Sequence, residues 1–295
     1  MAHDQSTRGL WDDKVIATKR LPREQVQVDE SIGHENVGHV FAGVFNGGKV
    51  AIKTVRPDIQ ANDEKMRHLL TQVKLSVTLT HPHLVNLIGV AWTCVSDFCI
   101  VQEFMERGDL RSLLDIYKSQ GRSSGFDRVK VQLARDICRA LAYLHALSPP
   151  VVHGHLTSKH VLLTRGMEAK VANLSVSSTR GQPTLWMAPE VLRGETSSTD
   201  TDMFSFGVIL SELDMLAPPY AQAKVQIRDA TSRPLQDDAI LDKVEKGSLR
   251  VVFSDAQPLA LADLGRACVS LNPLMRPTAS AALYKLETIL AQEVA

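Results

Sequence analysis

VQVDESIGHENVGHVFAGVFNGGKVAIKTV, residues 26–55, is the stretch that decides the first half of the fold. Its apolar residues stand in short alternating or β-branched runs, and glycines at positions 33, 38, 43, 47 and 48 interrupt them. Such runs, separated by glycine, are typical of antiparallel hairpins. The chain is therefore predicted to begin with a small antiparallel β-sheet.

Helical patterning dominates further along the chain. Residues 63–79 carry apolar side chains at helical spacing, and His81-Pro82 ends that pattern. LVNLIGVAW (84–92) and DFCIVQEF (97–104) predict two more strands. After Gly108 the periods are mainly helical, and a strand-rich part followed by a helical part predicts an α+β protein of two lobes. The helical stretches are residues 110–117, 129–147, 201–213, 261–271 and 279–292.

The composition excludes several classes of protein. With 295 residues, 44% of them hydrophobic, the chain is long enough to bury a sizeable core. Lys plus Arg and Asp plus Glu number 33 each, so no net charge attracts nucleic acid or an anionic membrane surface. No run approaches the roughly 20 apolar residues that span a bilayer. We therefore expect neither a nucleic-acid nor a membrane partner.

The cysteines predict a reducing compartment. Cys94, Cys99, Cys138 and Cys268 are scattered through apolar stretches, without the close spacing of a metal site. This distribution favours buried thiols over a disulfide framework. We therefore expect a cytoplasmic protein, and we interpret the polar residues 1–22 as an N-terminal extension or a linker.

Seven short motifs occur in an order that resembles the protein kinase superfamily. Any one of them arises readily by chance, but seven in order on the expected elements are a specific pattern. The motifs are GHENVGHV (33–40), VAIK (50–53), HGHLTSKHVLL (153–163), VANLS (171–175), WMAPE (186–190), TDMFSFGVIL (201–210) and RPT (276–278).

Further features resemble the tyrosine-kinase and tyrosine-kinase-like branch. These are LPREQV before the first motif, HPHLVNLIGVAW after the predicted helix, and the C-x-x-x-x-P-x-x-RPT ending. The resemblance implies a bilobal kinase-like domain over residues 23–295. Its small antiparallel sheet with one helix would occupy 23–103, a hinge 103–108, and a larger helical lobe 109–295.

The resemblance also implies a nucleotide site, with two departures from the family pattern. The middle glycine of the Gly-rich loop is Glu35, whose carboxylate would either oppose phosphate binding or lie in solvent. The helix glutamate that pairs with Lys53 aligns with Gln72, and an amide cannot fix an ammonium as a carboxylate does. Gln102 would either crowd the adenine pocket or bond a neighbouring element. The implied nucleotide contacts are Gly33, Gly38, Val40, Ala51, Lys53, Gln102, Glu103, Met105 and Leu162.

All three catalytic positions depart from the family pattern. The base aspartate is replaced by His155, and the loop asparagine that binds the second magnesium is replaced by His160. Asn173 stands where the Asp-Phe-Gly aspartate binds metal. Magnesium prefers hard oxygen donors and carboxylate charge, so we expect it to bind poorly and ATP to bind weakly or not at all. No metal site is predicted, although a zinc cluster of His153, His155 and His160 is an alternative.

Other matching positions are structural. Glu190 and Arg276 match a buried ion pair, and Asp202 matches the residue that holds the catalytic-loop backbone. Gly154 replaces the arginine that pairs with a phosphorylated activation loop.

Taken together, the motifs predict a pseudokinase, a kinase-like domain that signals as a scaffold or regulator by binding protein, an active kinase being one candidate partner. One alternative is a weakly active or unconventional ATP-dependent kinase that uses Lys53, and another is a nucleotide sensor without catalysis.

Overall fold

A computed structural model describes residues 13–35, 37–174, 183–227, 233–256 and 258–292. The chain divides into two compact units, residues 1–106 and 107–295. The boundary falls within the segment 103–108 that the sequence assigned to a hinge.

The first unit is a six-stranded sheet with a long helix. Its strands follow the order β1-β5-β6-β4-β3-β2, in which β1 pairs parallel with β5 and all other pairs are antiparallel. The elements are α1 (Lys14–Ala17), β1 (Arg20–Leu21), β2 (Gln27–His34), β3 (His39–Phe45), β4 (Gly48–Thr54), α2 (Pro57–Gln60), α3 (Asp63–Thr78), β5 (Leu87–Ala91) and β6 (Cys99–Glu103), with 3₁₀ turns at Arg23–Gln25 and Val95–Asp97.

Local chemistry explains where α3 begins. The Asn62 side chain accepts hydrogen bonds from the backbone N–H groups of Glu64 and Lys65, and acidic residues occupy the first turn. This N-cap satisfies amides that would otherwise lack partners, and the acidic side chains complement the helix dipole. The predicted helix over residues 63–79 is confirmed to within one residue.

Two apolar clusters hold the first unit together. One packs α3 against the sheet and includes Leu70, Val90 and Phe98. The other includes Ile52 and Val101. Because Ile52 and Lys53 are neighbours on a strand, their side chains point to opposite faces.

The segment assigned to an extension, in its described part, contributes to this core. Ile16 of α1 has no exposed surface and packs in the cluster under α3. Asp13 caps α1 and pairs with Lys74 of α3 at 2.5 Å. Arg20 and Leu21 form strand β1 beside β5. Residues 13–21 are therefore part of the folded unit.

The second unit is mainly helical. Its elements are α4 (Leu110–Ser119), α5 (Arg128–His145), β7 (Val161–Leu163), β8 (Ala169–Val171), α6 (Pro189–Leu192), α7 (Thr199–Met215), α8 (Ala221–Gln226), α9 (Asp237–Glu245), α10 (Leu259–Cys268) and α11 (Ala279–Gln292), with 3₁₀ turns at Ser158–His160 and Pro273–Met275. The small antiparallel hairpin of β7 and β8 was not predicted from the sequence.

Helix α7 is the buried centre of this unit. Every residue from Thr201 to Asp214 is buried. A helix that is apolar all round belongs in a core, yet this one carries three buried carboxylates. Asp214 accepts hydrogen bonds from the backbone N–H and the hydroxyl of Ser254. Asp202 and Glu212 organise the regions described below.

Three of the four cysteines are buried. Cys99, Cys138 and Cys268 are buried, but Cys94 is exposed, so the prediction of buried thiols was wrong at that position. Cys94 lies in the polar turn before β6, next to Ser96. Across the described ranges, each helix is too short or too polar to cross a membrane.

Candidate active site

The sheet register gathers most of the predicted nucleotide-contacting residues on one face. Val40 lies opposite both Lys53 and Gly33, and Ala51 lies opposite Gln102. Ala51 and Lys53 are two residues apart on β4. Directly paired residues and alternate residues share a face, so these five positions lie on the same side of the sheet.

The end of β6 is fixed by Asn86. The Glu103 backbone N–H donates to the Asn86 carbonyl oxygen at 3.1 Å, and its carboxylate accepts the Asn86 N–H at 2.6 Å. The Lys49 ammonium lies 4.1 Å from the Phe104 ring centroid, and Met105 is buried. These contacts fix the start of the predicted hinge, residues 103–105, within the first unit.

Glu35 forms an ion pair with Lys53, which the sequence did not predict. The Glu35 Oε2 atom lies 3.0 Å from Lys53 Nζ, and the two side chains are 30% and 11% exposed. The alternative in which Glu35 is a solvated hairpin residue is therefore wrong. The hairpin closes by bringing residue 35 back over β4, a long-range effect that local patterning does not encode.

Gln72 has its own neighbours on α3. Its side-chain amide nitrogen lies 3.1 Å from His68 Nε2, one turn earlier. Its backbone carbonyl accepts a hydrogen bond from the Ser76 hydroxyl. In this unit the carboxylate beside Lys53 thus comes from the hairpin.

In the second unit, Asp202 holds the catalytic-loop backbone, as predicted. Its two carboxylate oxygens accept the backbone N–H groups of His153 at 2.8 Å and Gly154 at 2.9 Å. The same carboxylate accepts from His145 Nε2 at 2.9 Å. Charge-assisted bonds of this kind are short and strong, so α7 fixes the start of the loop.

The histidines of the loop bond to one another and to the backbone. His153 Nδ1 accepts the backbone N–H of His155 at 3.3 Å, while its Nε2 donates to the Ala172 carbonyl at 2.9 Å. This pattern requires the neutral tautomer protonated on Nε2. His160 Nδ1 donates to the His155 carbonyl at 2.7 Å, and the His155 and His160 ring centroids are 5.3 Å apart.

Burial sets the charge of these imidazoles. Burial lowers the pKa of His153, although the negative charge of Asp202 acts to raise it. It also lowers the pKa of His155, and proximity to His153 lowers that pKa further. Desolvation disfavours the charged imidazolium, so both rings are neutral at physiological pH.

The zinc alternative does not fit this geometry. Both ring nitrogens of His153 already serve in hydrogen bonds, so neither can donate a lone pair to a metal. Within the described ranges, no three His, Cys, Asp or Glu side chains are arranged to hold a metal ion.

Two other loop positions have left-handed backbone. Gly154 has φ +72°, a conformation that glycine adopts without steric cost, and a Cβ atom built there would lie 3.9 Å from the Ser197 side chain. Asn173 has φ +60°, which asparagine tolerates better than most residues. Leu162 is half-buried on β7, opposite Lys170.

The predicted Glu190–Arg276 pair is confirmed. Arg276 donates through Nη1 and Nη2 to the two Glu190 carboxylate oxygens, at 2.5 and 2.9 Å. It also donates to the backbone carbonyls of Asp200 and Ser270. Both members of the pair are buried, so this pair holds the end of the WMAPE motif on the helical core.

A second buried network was missed from the sequence. Glu212 accepts hydrogen bonds from Arg111 Nη1 at 2.8 Å, the Ser158 hydroxyl at 2.9 Å and Trp186 Nε1 at 2.6 Å. Burial raises the pKa of Glu212 to about 7, although Arg111 opposes the shift. Glu212 lies on α7, and its hydrogen bonds join that helix to the catalytic loop, to the WMAPE motif and to α4. Its members are far apart in sequence, and Trp186 in that motif was the only visible signal.

Known proteins resemble this chain along most of its length. Serine/threonine-protein kinase CTR1 of Arabidopsis thaliana is 35% identical over 68% of this chain. Probable serine/threonine-protein kinase drkB of Dictyostelium discoideum is 28% identical over 92%, and tyrosine-protein kinase csk-1 of Caenorhabditis elegans is 30% identical over 91%. The matches cover 25%, 38% and 48% of those proteins, so this chain spans from a quarter to about half of their length.

The family model for protein tyrosine and serine/threonine kinases matches residues 26–286. That match covers most of the sheet unit and nearly all of the helical unit. The chain therefore belongs to the protein tyrosine and serine/threonine kinase family.

Proposed function

We propose that this kinase domain is a pseudokinase that acts by binding a protein partner, as a scaffold or an allosteric regulator. The observation that carries the proposal is the set of side chains at the three catalytic positions. These positions hold the imidazoles of His155 and His160 and the carboxamide of Asn173.

The proton acceptor is the first weakness. Replacing a general base costs about 10²–10⁴ in rate, which takes a typical kinase kcat of roughly 1–100 s⁻¹ to about 10⁻⁴–1 s⁻¹. His155 has a lowered pKa because it is buried beside His153. A neutral imidazole brings no negative charge to the site, unlike an ionised carboxylate, so His155 is not equivalent to the aspartate that it replaces.

The metal sites are the second weakness. Magnesium requires oxygen ligands in near-octahedral geometry and is usually held by carboxylates. His160 offers imidazole nitrogen and Asn173 an uncharged amide, so these residues do not fit the ion. Without a bound dication, little stabilises the charge that develops on a transferring phosphoryl group.

The retained features support a binding role. Asp202 fixes the loop backbone, and the Glu190–Arg276 pair holds the WMAPE motif on the core. A domain that keeps its scaffold while its chemistry is altered is suited to presenting a surface. We propose a protein partner, with an active kinase among the candidates, a cytoplasmic setting, weak or no ATP binding, and no magnesium.

A phosphate-transfer assay tests this proposal. Purified protein, Lys53→Ala and a variant with restored ligands (His155→Asp, His160→Asn, Asn173→Asp) would be incubated with labelled ATP, Mg²⁺ and generic protein substrates. We expect wild type and Lys53→Ala to be equally inactive. Robust transfer by wild type that Lys53→Ala abolishes would overturn the proposal.

A weakly active kinase is the second candidate, and the retained buried Lys53 favours it. It predicts slow nucleotide turnover above the Lys53→Ala background. The measurement is made with Mn²⁺ as well as Mg²⁺, so that a defect specific to magnesium does not decide the result. Equal rates in the two proteins with Mn²⁺ would eliminate it.

A further inference from the structure

Backbone hydrogen bonds hold the turn of the β2–β3 hairpin in place, and the carboxylate of Glu35 in this turn pairs with Lys53. Glu35 and Gly38 exchange backbone hydrogen bonds, at 2.8 Å from the Glu35 N–H and 3.2 Å from the Gly38 N–H. This exchange closes the turn immediately before β3. The position of the Glu35 backbone is thus set by the turn.

Val37, which precedes Gly38 in the turn, is held by contacts of its own. The Val37 carbonyl accepts the Arg56 backbone N–H at 2.9 Å. The Val37 side chain packs against the apolar cluster that contains Val55 and Leu70. Removing an apolar side chain from water stabilises this contact, so the turn is bound to the core under α3.

Gly38 permits a close approach to β4. A Cβ atom at Gly38 would lie 1.8 Å from the Thr54 carbonyl oxygen. A Cβ at Gly33 would meet nothing within 4 Å. Of the two retained glycines of the loop, Gly38 is therefore needed for packing within the sheet.

We infer that Glu35 is a built-in competitor for phosphate: the anchored turn presents its carboxylate to Lys53, so the unit disfavours nucleoside triphosphates relative to uncharged purine ligands. The inference rests on the proposed function, in which this domain binds ATP weakly or not at all. It names Glu35 as the residue that excludes polyphosphate at Lys53.

The size of the effect follows from tethering. A carboxylate on the same chain as the ammonium competes at an effective concentration in the millimolar range, whatever the ligand concentration. A ligand that needs Lys53 binds only to the fraction of molecules in which the ion pair is open, and its apparent affinity falls by that fraction. For a part-buried pair this amounts to about a twofold to fivefold loss for ATP. Adenosine lacks phosphate, so its affinity is unaffected.

The test compares ATP with adenosine on four proteins. Wild type, Glu35→Gln and Glu30→Gln would be titrated calorimetrically at low salt in the presence of a metal chelator. Glu30 is exposed on β2, the strand that leads into the turn, so Glu30→Gln removes the same charge and serves as the matched control. Melting curves check that each variant is folded, and Glu35→Gly provides a second variant at the site.

We expect Glu35→Gln and Glu35→Gly to raise the affinity for ATP about twofold to fivefold, with adenosine unchanged and Glu30→Gln like wild type. An equal gain for adenosine and ATP, an equal gain in Glu30→Gln, or no ATP binding by either Glu35 variant at millimolar concentration would overturn the inference. These results would leave the proposed function standing, because none of them involves Lys53-dependent phosphate transfer.

Discussion

Arg276→Ala is predicted to destabilise the helical unit severely. The Arg276 side chain has no exposed surface, and its partner Glu190 has 5%. The substitution leaves the Glu190 carboxylate buried without its counter-ion, and it removes the donors to the Asp200 and Ser270 carbonyls. Each effect removes partners from groups that water cannot reach.

The magnitude can be bounded from these contacts. Breaking a buried ion pair by deleting one partner costs about 3–5 kcal/mol. The two backbone carbonyls are part of the same site, so their loss is included in that range and is not added to it. For a unit of this size, we expect a drop in melting temperature of roughly 10 °C.

The matched control is Arg139→Ala. Arg139 donates to Glu287 at 2.7 Å, but the two side chains are 37% and 46% exposed. An exposed pair of similar length contributes about 0–1 kcal/mol. Urea unfolding and thermal melting of both variants measure the difference. A loss below about 1 kcal/mol for Arg276→Ala, or equal losses in the two variants, would refute the argument that burial sets the cost.

Two further predictions concern the glycine loop and pH. Gly38→Ala should lower the free energy of unfolding by about 2–3 kcal/mol, because the new Cβ would overlap the Thr54 carbonyl. Gly33→Ala should change it by under about 0.5 kcal/mol. Equal melting temperatures for the two variants would contradict this prediction. Burial raises the pKa of Glu212 from 4.5 to about 7, so its protonation stabilises the folded state fully below pH 4.5, and this contribution is lost as pH rises to about 7. The stability of wild type relative to Glu212→Gln should therefore fall by about 3 kcal/mol between those values and stay constant above pH 7; a pH-independent difference in urea unfolding would count against it.

The elements that were predictable are those with local causes. The strands over residues 26–55 follow from alternation and glycine, and α3 follows from the helical spacing of its apolar residues and from His81-Pro82. The ordered motifs correctly indicated the kinase fold, the Asp202 bonds and the Glu190–Arg276 pair, because each occupies a position with a known structural role.

What the sequence could not supply depends on distant contacts. Ile16 stands in a polar segment, so its place in the core becomes visible only once α3 and the sheet are assembled. Glu35 lies beside Lys53 because a hydrogen bond between Val37 and Arg56 fixes the hairpin turn. Strand patterning does not specify that hydrogen bond. Arg111 and Glu212 are 101 residues apart and meet only when α4 packs near α7.

Thermal stability of the purified protein and of Lys53→Ala, measured with ATP or ADP and with or without Mg²⁺ or Mn²⁺, shows whether the catalytic positions hold a metal. If the catalytic positions cannot hold a metal, adding either ion should produce no further shift in the melting temperature, for wild type or variant. A shift that requires both the metal and Lys53 would contradict the pseudokinase assignment.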